Sequence, residues 1–97
     1  MEAKRVSEWL WEALAHLQTR YPSLIRHVEG GDLTVDVIFY IEDMAMECVQ
    51  ALLDAGITAI HRLDRPRVIS LQIPSLEVQD KAEEAVKVID AYLQAST

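Results

Sequence analysis

Apolar residues recur at three- and four-residue steps over 3–21, where Val6, Trp9, Leu10, Ala13, Leu14, Leu17 and Tyr21 form one stripe. That period predicts an amphipathic helix, and Pro22 stops it. The pattern then changes to alternation. Two strand-like runs, 24–29 and 33–41, flank Gly30-Gly31-Asp32, and Leu33, Val35, Val37, Phe39 and Ile41 share one face of the second run. The paired glycines supply the backbone angles of a tight turn, so the two runs predict a β-hairpin.

A second helix is predicted over 42–55 and is closed by Gly56. Strands over 57–63 and 67–73 follow, joined by Asp64-Arg65-Pro66, because a proline that cannot donate to a ladder belongs in the turn. Pro74 breaks the last strand, and Ser75 is the expected cap of a final helix that buries Val78, Ala82, Ala85, Val86, Ile89, Tyr92 and Leu93. The order is α-β-β-α-β-β-α. A single two-layer α+β domain over 1–97 is expected, with a four-stranded, mainly antiparallel sheet and three helices mainly on one face. This element order is similar to that of the small dimeric chaperones of bacterial secretion systems. The likeness lies in order alone and supplies no functional residue.

Charge narrows the function classes. Sixteen acidic against nine basic residues leave a net charge of −7, which repels polyanions, so no nucleic-acid partner is expected. Cys48 is the only cysteine, so no internal disulfide can form, as suits a reducing compartment. No stretch approaches the roughly 20 apolar residues of a membrane span, and the amino end has no apolar leader core. A cytoplasmic location without a membrane partner is the expectation.

Catalytic patterns are missing. Gly30-Gly31 lacks the lysine and helix of a phosphate loop. His16, His27, His61 and Cys48 are spread over separate elements without the short-spaced pairs of a metal site. Ser7, Ser23, Ser70 and Ser75 occupy no glycine-flanked nucleophile elbow. Asp32, Asp36, Glu42 and Asp43 lack the nearby lysine of nuclease-type chemistry, and Asp43, Glu47 and Asp54 read as the solvated strip of a helix. No catalytic residue, metal or cofactor is expected.

Four features exceed what a plain domain needs. The second helix carries Met44, Ala45, Met46, Cys48, Val49, Ala51, Leu52, Leu53 and Ala55, more than one sheet-facing stripe requires. Trp11 lies about 130° from the centre of the first helix's stripe by the 3.6-residue rule, and tryptophan is enriched at protein contacts. The outer sheet face mixes Thr34, Asp36, Ile38 and Tyr40 with Ile60, Arg62, Val68, Ser70 and Gln72. The stretch from His61 to Arg67 gathers His61, Arg62, Arg65 and Arg67 around one turn, a positive spot suited to an anion or carboxylate.

These features point to a non-catalytic, homodimeric protein-interaction module, with an acidic inhibitor, antitoxin-like or chaperone-like binding protein as narrower forms. Trp11, Ile38, Tyr40, Met44 and Met46 are the expected interface residues. Asp36, His61, Arg62, Arg65 and Arg67 are the expected ligand or anion contacts. The alternative is a small-molecule-binding domain or minor enzyme with a pocket between sheet and helices, near Tyr40, His61 and Arg62.

Overall fold

Residues 2–30, 34–61, 63–72 and 79–96 are described in the computed structural model of the protein, the side chains of 2–7 and 79 excepted. The 31–33 turn, Arg62 and the 73–78 segment with the expected Ser75 cap lie outside those residues. The elements follow the expected order: α1 (Glu2–Arg20), β1 (Ile25–Gly30), β2 (Thr34–Phe39), α2 (Glu42–Asp54), β3 (Ala59–His61), β4 (Val68–Gln72) and α3 (Gln79–Ala95). The strands form one antiparallel α+β sheet in the order β1-β2-β4-β3.

Alternation places Val35, Val37 and Phe39 under the helices, where all three are fully buried. Antiparallel register extends those rows: Val28, Val37 and Ile69 lie side by side, as do Val35, Leu71 and Ala59. Helix α1 lies over β1 and β2, and α2 over β3, β4 and β2. Helix α3 packs against both α1 and α2 and fills the groove between them. Its inward Ala82, Ala85, Ile89 and Leu93 are fully buried, and the two alanines allow a close approach.

Two expected boundaries are corrected. Strand β2 ends at Phe39 rather than Ile41, and Ile41 becomes the half-exposed N-cap of α2. The Phe39 and Tyr40 amides donate to the carbonyls of Arg67 and Leu24, after which the chain leaves the sheet to start the helix. Strand β3 begins at Ala59 rather than at 57, because the Ile57 amide is taken by the end of α2. There the Ile57 and Gly56 amides donate to the carbonyls of Leu52 and Leu53, both at 2.9 Å, and Gly56 has φ 80°. This paired motif needs a left-handed residue after the helix. Gly56→Ala is therefore expected to cost about 1–2 kcal/mol, measured by denaturant unfolding.

Packing of α3 also accounts for much of the apolar excess on α2. Met44, Ala45, Cys48, Val49 and Leu52 are all buried in the chain's own core. Met44 therefore has little surface to offer a partner, and the exposed apolar part of α2 is narrower than its sequence implies.

Tyrosine–carboxylate bonds pin α3 at both flanks. The Tyr21 hydroxyl donates to Asp90 at 2.9 Å, beside an Arg20–Asp90 ion pair at 3.3 Å. The Tyr92 hydroxyl donates to Glu47 of α2 at 2.6 Å. Desolvation, and then the Glu47 bond, push the Tyr92 phenol up to about 12, and burial pushes the Cys48 thiol up to about 12. Both groups are held neutral by the fold. Their contribution is complete below the unfolded values of 10.0 and 9.0 and is lost as pH rises toward 12. The melting temperature should fall over that window, and Tyr92→Phe should make the fall shallower.

Candidate functional site

The two edges of the sheet are treated differently. An edge strand presents unpaired carbonyls and amides, which a protein must cover or blunt to stay unpaired. On β1 the cover comes from α1. The Trp11 indole N–H donates to the Val28 carbonyl at 3.1 Å, and the Gln18 amide donates to the Arg26 carbonyl at 2.8 Å. Both carbonyls belong to the strand at this edge of the sheet, and each takes its donor from α1. Residues 11 and 18 are seven apart, so their side chains share a helix face. Trp11 also lies over Gly30, where an added Cβ would come within 3.0 Å of the indole Cδ1. The indole is thus anchored to its own sheet edge while remaining 42% exposed.

The opposite edge is β3, only three residues long and paired on one side with β4. Among the described residues, no hydrogen bond covers its other side. Apolar side chains flank it instead. Met46 and Leu53 lie on one strip of α2, 50% and 48% exposed. By the 3.6-residue rule that strip lies roughly 100–120° from Glu47, which faces α3. They therefore occupy the flank of α2 turned away from α3, where the sheet ends at β3. Ile60 projects from β3 on the opposite face of the sheet, beside its partner Ser70, and is also about half exposed.

The helix-free face of the sheet holds a second feature. Register places His27, Ile38 and Val68 in one row, and Glu29, Asp36, Ser70 and Ile60 in the next. The sequence suggests that Val68 and Ser70 face outward, yet they are buried at 2% and 3%, and Ile38 is buried too. The segment linking β3 to β4 supplies part of the reason. Arg65 of that segment meets Glu29 of β1 at 3.8 Å, although β2 stands between β1 and β4 in the sheet. Arginine stems can cover apolar surface while the charged head stays in water. Ser70 is satisfied locally, its hydroxyl donating to Asp36 at 2.7 Å.

Around Ile38 this leaves two adjoining depressions. One, of about 300 Å³, is lined by Arg26, Ile38, Glu42, Arg65, Pro66 and Arg67. The other, of about 250 Å³, shares Arg26, Ile38 and Arg65 and adds His27 and Glu29. Arg26 stands at an irregularity in β1, where the pairing shifts between Ile25 and His27. Such a bulge re-aims a side chain, and nothing in the sequence announced it. The backbone carbonyl of Arg67 accepts from Phe39 at 2.8 Å, which fixes that arginine at the rim.

The expected contact residues are thus divided. Ile38, Arg65 and Arg67 meet in the groove, and Arg26, missed in the sequence, joins them. Asp36 is tied to Ser70, and His61 Nε2 lies 2.6 Å from the carbonyl of the groove residue Pro66, while neither Asp36 nor His61 lines the depressions. Tyr40 is about half exposed just beyond the end of β2. Arg62 lies outside the described residues. These two depressions lie on the face without helices, while on the helix side of the sheet Val35, Val37, Phe39, Ile69 and Leu71 are buried. Among the described residues, no three His, Cys, Asp or Glu side chains come together as a metal site. No described helix is long and apolar enough to cross a membrane.

No protein-family model matches the chain, and no curated protein matches it in sequence. Solved structures do share its fold. A mutant form of M. tuberculosis Rv3290c superimposes with a TM-score of 0.84 at 14% identity over 99% of this chain, which corresponds to 22% of that one. An acetylornithine aminotransferase from Elizabethkingia anophelis gives 0.78 at 20% identity over 97% of this chain and 24% of its own. The chain therefore spans about a fifth to a quarter of the length of these proteins, and at such identities the likeness is one of fold.

Proposed function

We propose that the domain is a non-catalytic protein-interaction module that pairs with a second copy of itself along the free edge of β3. The observation carrying this reading is the contrast between edges. One is closed by Trp11 and Gln18; the other carries no hydrogen bond on its outer side among the described residues, with Met46 and Leu53 above and Ile60 below. Antiparallel addition of the same strand across a two-fold axis joins two sheets through main-chain bonds, with the half-exposed side chains packed on either face. The acidic residues of α2 remain at the solvent rim, where like charges cost little. A buried free thiol supports a reducing, cytoplasmic setting.

Light scattering at low and high concentration tests the pairing. The mass should rise from 11.0 kDa toward twice that value. Ile60→Lys, which places a charge beside the bare edge, should hold the chain monomeric without lowering its melting temperature. A wild-type chain that stays monomeric throughout would overturn the reading.

A second reading rests on the aminotransferase likeness. There the same fold is a quarter of a longer chain, and such a domain would serve a small-molecule site. A strict monomer whose melting temperature rises with acetylornithine would favour it.

A further inference from the structure

We infer that the arginine-walled groove on the helix-free sheet face binds an acidic segment of a partner protein, carboxylates on the arginines and an apolar side chain over Ile38. This deepens the reading of the domain as an interaction module and concerns a surface separate from the β3 edge.

Three observations carry it. First, the groove gathers Arg26, Arg65 and Arg67 in a chain whose overall charge is −7. Second, these guanidiniums are weakly used within the chain. Among the described residues Arg26 and Arg67 have no ion-pair partner, and Arg65 meets Glu29 only at 3.8 Å between two half-exposed side chains. Third, the floor is Ile38, and the two depressions share it along with Arg26 and Arg65. A shallow trough of this size suits a few consecutive residues of an extended chain.

The charge pattern selects among anions. Glu29 and Glu42 stand on the same walls, so a polyphosphate or nucleic-acid backbone meets like charge at both ends. Single carboxylates can avoid those positions and engage individual guanidinium forks. An apolar residue between them gains contact with Ile38, which a small inorganic anion cannot.

A labelled peptide of repeating Glu-Leu-Glu, titrated onto the full chain by fluorescence anisotropy, tests this, with a Lys-Leu-Lys peptide as control. The acidic peptide should bind and the basic one should not. Arg26→Gln and Arg67→Gln should each weaken binding about three- to tenfold, and the double variant should do so further. Arg20→Gln, on α1 beside Asp90, should leave binding unchanged. Melting curves confirm that each variant is folded. Absence of binding, binding insensitive to the groove variants, or equal competition by free glutarate or inorganic phosphate would each overturn the inference. Light scattering on the wild-type chain separates the two readings: a dimer that does not bind the acidic peptide fails the groove alone, and a strict monomer that binds it fails the pairing alone.

Discussion

Phe39→Ala is expected to remove about 3–5 kcal/mol of stability, a large share of the roughly 5–15 kcal/mol that holds a domain of this kind. Phe39 is fully buried at the end of β2, opposite Ile25 of β1. It stands where the sheet stops and the chain turns into α2, so its neighbours are held from several directions and collapse poorly into a void. Its amide, donating to Arg67, also links β2 to the groove rim. Denaturant unfolding should show the midpoint falling with little change in slope. A loss below about 1 kcal/mol would mean that this corner is loosely packed.

Trp11→Ala is expected to cost about 2–3 kcal/mol, from partly buried ring area and a lost hydrogen bond. Trp11→Phe should cost about 1 kcal/mol by uncovering the Val28 carbonyl while keeping much of the ring over Gly30. At this chain length each kcal/mol moves the melting temperature by about 4–8 °C, so the two variants are easily separated. The alanine variant also opens a second free edge, and its tendency to aggregate should grow with concentration. The interface role expected from sequence predicts a different result. Under that role Trp11→Ala would leave the monomer's stability intact and lower only the associated mass. Melting and light scattering on one sample decide between them.

The edge contrast ties these results to function. A small antiparallel sheet has two ends, and this chain spends an aromatic and an amide side chain closing one of them. The other is left three residues long, with apolar side chains on both faces. Covering one edge favours discrete pairing at the other, since a sheet able to extend at both ends can polymerise.

Local physics determined most of the architecture. The 3.6-residue stripe of α1, the alternation of Val35, Val37 and Phe39, the proline in the second turn and the glycine after α2 each state an element through adjacent residues. These suffice for element type, order and the buried face of β2. The candidate site was legible only in part. Arg65 and Arg67 stand out as charges in a turn, but Arg26 becomes their neighbour through strand order and a bulge, which no short-range pattern encodes. Alternation along β4 turns Val68 and Ser70 away from the helices and does not reveal that both are buried. Trp11 looks like a misplaced aromatic until the edge it covers is adjacent to it. Periodicity reports which way a side chain points along its own element; what it meets there depends on residues far away in the chain, and the tertiary fold alone brings those together.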